Sequence, residues 1–130
     1  MPAADTRGRI LDAAFDAIAV FGIARLSLED VARRAGLSRQ TLYRYFRTKD
    51  DVVAAVILRE EEALLELVTA LAEYEKLPPP DALARERLLR DGFGPAPRYQ
   101  LLFGELDGRP VAYALYFFTY SSFLARPTLF

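Results

Sequence analysis

Cysteine and histidine are both absent from the 130 residues. Without cysteine there are no disulfides and no thiol chemistry. Without histidine there is no His-based triad, and a zinc site loses both of its commonest ligand types. No run of about 18 apolar residues occurs, so no membrane span is expected. Asp5, Asp12 and Asp16 interrupt any apolar run near the start, so these residues do not read as a secretory leader. Neither sign of charge dominates: 17 Lys/Arg stand against 18 Asp/Glu, a net charge of -1. What is present, 52% hydrophobic and 27% charged residues, is the composition of a folded protein rather than a disordered one. The length allows one small domain or two very small ones, and a cytoplasmic location is expected.

The charge is unevenly spread. Residues 1–60 hold ten Lys/Arg against eight Asp/Glu, and residues 61–130 hold seven against ten. The basic excess is concentrated in "GLSRQTLYRYFRTK", residues 36–49. This stretch contains Arg39, Arg44, Arg47, Lys49, Tyr43 and Tyr45, and no acidic residue. A near-neutral chain with one local basic, phenolic stretch has a surface suited to an anionic partner.

Hydrophobic spacing predicts a first helix from about Arg7 to Phe21, with Ile10, Ala14, Ala17, Ile18 and Phe21 along one stripe. Thr6 is expected to cap it and Gly22 to stop it. Ser27 to Asp30 has the capping-box order, with Asp in place of the commoner Glu, and opens a second helix of about eight residues. Gly36 ends that helix. Ser38 caps a third, Arg39 to Phe46, whose inward residues are Leu42 and Phe46. Thr48 to Asp51 is a second box. From Lys49 to Leu77 there is neither Gly nor Pro, which predicts one long helix of about 44 Å ending at Pro78-Pro79-Pro80. Its Glu60-Glu61-Glu62 tract reads as a solvated face. A shorter helix, about Asp81 to Arg90, is broken by Gly92, Gly94, Pro95 and Pro97. Two strands follow, Tyr99 to Leu106 and Pro110 to Tyr120, joined by the hairpin signal Asp107-Gly108.

Ser27 to Phe46 has the plan of a helix-turn-helix. In that motif the second helix enters the DNA major groove, with its N-terminal residues at base edges. This puts Arg39, Gln40 and Thr41 forward as base readers, since Arg suits guanine and Gln suits adenine. Ser27, Ser38, Tyr43, Tyr45 and Lys49 suit phosphates, which position a protein without carrying sequence information. The competing structural reading assigns the tyrosines to packing and the arginines to a solvated helix face.

The segment "ILDAAFDAIAVFGIARLSLEDVARRAGLSRQTLYRYFRTKDDVVAAVI" resembles the N-terminal domain of the tetracycline-repressor (TetR) family, over roughly Arg7 to Arg59. "AGLS", "TLYRYF" and the pair Lys49-Asp50 carry the likeness. The resemblance implies that Tyr43, Tyr45 and Lys49 contact phosphate and that Arg39 to Thr41 vary with the operator. Gln40 departs from the small residue usual there.

The second half resembles the N-terminal half of a GNAT-superfamily N-acetyltransferase, over roughly Leu64 to Phe130. "EYEKLP", the hairpin around Asp107-Gly108 and "SSFLARPTLF" carry this second likeness. The strand and Gly-rich turn that would hold the acetyl-CoA pyrophosphate are not reached. Gly92-Phe93-Gly94 is no substitute, since it precedes a strand and is followed by Pro95. The resemblance therefore implies a segment without acetyl transfer.

The expected architecture is mainly α with a C-terminal β-hairpin. A three-helix helix-turn-helix domain (1–59) precedes an incomplete acetyltransferase-like α+β segment (60–130), comprising the rest of the long helix, a helix and two antiparallel strands. Sequence-specific binding of double-stranded DNA is the expected function. The alternative is an acetyltransferase fragment that is inactive without its cofactor-binding half. No enzyme activity, catalytic residue, metal, cofactor or membrane partner is expected, and the apolar hairpin is expected to support self-association.

Overall fold

A computed structural model describes residues 3–129, with side chains from Thr6 onward. Two compact units divide between Arg59 and Glu60. The first contains α1 (Ala3–Phe21), a 3-10 turn (Ile23–Arg25), α2 (Leu28–Ala35), α3 (Arg39–Tyr45) and the opening turns of α4 (Lys49–Tyr74).

The core of this unit collects Ile10, Leu11, Ala14 and Ala17 of α1, Val31, Ala32 and Ala35 of α2, Leu42 of α3, Phe46, and Val52 and Val56 of α4. These are the positions that helical spacing aligns on one side of each helix. Thr6 lies inside α1 rather than at its cap, because the helix already runs from Ala3. Gly22 does end it, at φ 76°. Ser27 caps α2 by accepting the Asp30 N–H at 3.1 Å. The reciprocal half of that box is not closed. The Asp30 carboxylate instead accepts the Ser27 hydroxyl at 2.7 Å, and its other oxygen takes Arg33. At the head of α4 the box is complete: Asp51 N–H donates to Thr48 Oγ1 at 3.1 Å and Thr48 N–H to Asp51 Oδ2 at 3.0 Å.

Gly36 is left-handed at φ 66°, ψ 35°. Around it Leu37 N–H donates to Ala32 O and Gly36 N–H to Arg33 O, the paired bonds of a Schellman turn. The same closure ends α4. Lys76 sits at φ 56°, Leu77 N–H donates to Ala72 O, and Lys76 N–H donates to Glu73 O. The long helix therefore stops at Tyr74, ahead of the prolines, after about 39 Å.

The second unit holds the remainder of α4, α5 (Ala82–Phe93) and four short strands: β1 (Gln100–Leu106), β2 (Arg109–Tyr116), β3 (Phe118–Ser121) and β4 (Arg126–Leu129). Asp81 caps α5. Gly92 does not break this helix but lies within it. The absent side chain leaves room for Tyr99, whose hydroxyl donates to Leu88 O at 2.6 Å. β1 and β2 pair antiparallel through Asp107-Gly108, both at positive φ, with a bulge at Gly104/Glu105. The expected second strand is interrupted at Phe117, and β3 pairs with β4 as a separate hairpin. Its turn is closed by Leu124 N–H donating to Ser121 Oγ and by Ala125 at φ 50°. Among the described residues from Glu60 on, Leu64 alone is buried, while Leu102, Leu106, Phe118 and Phe123 are more than half exposed. No helix of the described residues is long and apolar enough to cross a membrane.

Candidate nucleic-acid interface

The orientation of α3 follows from two anchors. Leu42 is fully buried and Phe46, at the C-cap, is 6% exposed; they lie four residues apart and so face the same way. Ser38 fixes the start of the helix by accepting the Thr41 N–H at 3.1 Å. With one side fastened to the core, Arg39, Gln40, Tyr43 and Arg44 are left exposed. Gln40, Arg44 and Arg47 make no side-chain hydrogen bond or ion pair among the described residues, so their polar groups are available to a partner.

The other sequence-derived candidates are held in different ways. Thr41 is half-buried, its hydroxyl 2.8 Å from that of Ser38, so these two hydroxyls engage each other. Tyr45 is half-buried and packs on the core, whereas Tyr43 is exposed. Lys49, in the first turn of α4, donates to Ala24 O at 3.4 Å. This ties the lysine to the loop before α2, and Asp50 and Asp51 offset a cation at a helix N-terminus. The Ser27 hydroxyl hydrogen is turned to Asp30, so its donor points away from an outside anion. The Ser27 hydroxyl first, and then Arg33, hold the Asp30 carboxyl below its ordinary pKa.

Arg39 is the most constrained of the exposed basic residues. Its NH1 donates to Glu29 Oε1 at 3.0 Å, across from α3 to the first turn of α2. NH2 lies 3.5 Å from the Tyr43 hydroxyl, and the guanidinium carbon is 5.5 Å from the Tyr43 ring centroid, within cation–π range. The Tyr43 hydroxyl, and after it the charge of Glu29, hold the guanidinium even more firmly protonated than usual. Glu29 was not singled out from the sequence, where residues 36–49 are free of acid. In space an acid from α2 lies against the first residue of α3. No local spacing marks the pair, since the Gly36 turn joins the end of α2, not its start, to α3.

Residues 10–56 match the family described as bacterial regulatory proteins, tetR family. An HTH-type transcriptional regulator of Mycobacterium bovis is 38% identical over 84 residues, covering 54% of this chain and 44% of that protein. Another HTH-type transcriptional regulator, of Pseudomonas putida, is 36% identical over 62 residues, covering 48% and 29%. The thialysine N-epsilon-acetyltransferase of Bos taurus is 37% identical over 87 residues, covering 57% and 51%. The chain spans about half the length, or less, of these curated relatives. α2, the Gly36 turn and α3 all lie inside residues 10–56, the segment that is similar to the tetR family.

Proposed function

We propose that the chain is a DNA-binding transcriptional regulator, docking α3 into the major groove of double-stranded DNA. The observation that carries this reading is the two-sided character of α3. Leu42 and Phe46 fasten it to the core, and Arg39, Gln40, Tyr43 and Arg44 are presented outward. A major groove about 12 Å wide admits such a helix. Arg39, Gln40 and Thr41 are the proposed base readers. Ser38, Tyr43, Tyr45 and Lys49 are the proposed phosphate contacts, with Ser27 contributing only if its hydroxyl turns from Asp30. Selection of bound sequences from a random duplex pool tests the reading. Each phosphate neutralised by a Lys or Arg contributes about -0.9 to the log–log salt slope, so Lys49→Ala should make the slope shallower by about 0.9. Arg39→Ala is expected to relax preference at one base pair by roughly tenfold, and Lys49→Ala to weaken all duplexes alike. A pool that emerges with no enriched sequence overturns it.

For residues 60–130 we infer an acetyltransferase-like α+β segment. It is supported by the identity to the bovine enzyme and by the order helix, then hairpin. We read it as non-catalytic, so turnover of an amine with acetyl-CoA would sink this part. The unpaired edges of two separate two-stranded sheets, together with exposed Leu102, Leu106 and Phe118, support self-association through this unit.

A further inference from the structure

Glu29 lies on the first turn of α2, 71% exposed at its side chain, and carries the charge sign that a phosphate carries. It is nevertheless placed against the leading basic residue of α3. An exposed ion pair of this kind contributes little to folding, so stability does not account for its placement. Its geometric effect is definite. Glu29 holds NH1 of Arg39 at 3.0 Å, and Tyr43 approaches NH2 and lies within range of the guanidinium face. The long, flexible arginine is thereby restrained at two points, with its other N–H donors left open.

We infer that Glu29 is a specificity-determining positioning residue, which keeps Arg39 off the phosphate backbone and presents its open donors to a base edge. This rests on the DNA-binding reading above. An unrestrained arginine beside a duplex is drawn to the nearest phosphate, where it adds affinity to every sequence equally. A carboxylate at the root of the contact works against that in two ways. It occupies part of the guanidinium, and it repels the phosphate to which the side chain would otherwise swing. A guanine edge, offering two acceptors to the remaining donors, suffers less from the nearby negative charge than a phosphate does. The device raises selectivity by penalising the wrong contact rather than by adding a right one.

The test uses the full chain, the duplex selected from a random pool and a scrambled duplex of equal length. For Glu29→Gln the expected result is binding to the scrambled duplex several-fold tighter. The salt slope should steepen by about 0.9, the value of one added phosphate contact. The ratio of selected to scrambled affinity should fall roughly tenfold, with the melting temperature unchanged. In an Arg39→Ala background Glu29→Gln should leave that ratio where it was. A merely structural or general electrostatic role would shift both duplexes by one common factor. That outcome, or a preserved ratio in Glu29→Gln alone, overturns the inference while leaving DNA binding intact. If the unaltered chain discriminates between no duplexes, the DNA-binding reading falls and this inference with it.

Discussion

Gly92 offers a substitution whose sign is set by one neighbour. In an open helix interior, Gly→Ala stabilises by about 1 kcal/mol, because alanine gives up less backbone freedom on folding. Here the added methyl carbon would lie 2.2 Å from the Tyr99 hydroxyl oxygen and 2.5 Å from the ring carbon that bears it, so Tyr99 must leave. Its departure costs the bond to Leu88 O, about 1 kcal/mol, and the cover the ring now has over α5, about 1–2 kcal/mol. The losses exceed the gain, so Gly92→Ala is expected to destabilise α5 by about 1–2 kcal/mol. In a Tyr99→Ala background the three atoms nearest to the methyl group are gone, and the same change is expected to stabilise α5 by about 1 kcal/mol. The double-mutant cycle thus carries a coupling of about 2–3 kcal/mol. Because this unit has little buried core, the suitable assay is native-state amide exchange along α5, read at amides such as that of Gly94, which donates to Arg90 O. Slower exchange on Gly92→Ala in both backgrounds would refute the reasoning, because Tyr99 would then not lie over the helix.

The same tyrosine gives a pH dependence. Burial first, and then the charge of Asp91, raise its pKa above the ordinary value of 10.0. The unfolded chain therefore loses this proton before the folded one does. The associated stability is present below about pH 10 and is lost as pH rises through the folded value, a dependence that amide exchange should show and Tyr99→Phe should abolish. Self-association through the strands should appear as dimers or larger species in sedimentation at micromolar concentration. Replacing Tyr116 and Phe118 with Lys should favour monomer, and a clean monomer of the unaltered chain that binds a palindromic duplex tightly would count against it.

The sequence made the first unit legible because its signals were local and mutually consistent. Ser27, Ser38 and Thr48 each stood where a cap was needed, Gly36 stood where the backbone turns left-handed, and Leu42 and Phe46 faced inward at helical spacing. Asp107-Gly108 marked the first hairpin for the same reason. The misses came where a distant group or an unmarked turn decides the outcome. Gly92 looked like a helix breaker because Tyr99, seven residues on, was not seen to need its space. The hairpin of β3 and β4 was missed because its turn uses Ala125 in the left-handed region, with no Gly or Asn to announce it. Lys76 ends α4 in that same conformation, so the prolines looked decisive when the chain had already turned. The neighbour of Arg39 was hidden because Glu29 is ten residues away along the chain and one ion pair away in space.

Arg9 reaches from α1 and donates its NH2 to the Ala35 carbonyl, the last of α2, and the space where a Gly36 side chain would begin is 3.2 Å from that nitrogen. A guanidinium there meets the negative end of the α2 dipole and satisfies a carbonyl that the Schellman bonds leave over. The α2–α3 pair is for that reason not portable by itself. A chimera that grafts Ser27 to Phe46 onto another scaffold would leave this carbonyl without its cation, and a left-handed Gly36 without the neighbour that borders it. Transplanting α2 and α3 means transplanting the first helix as well.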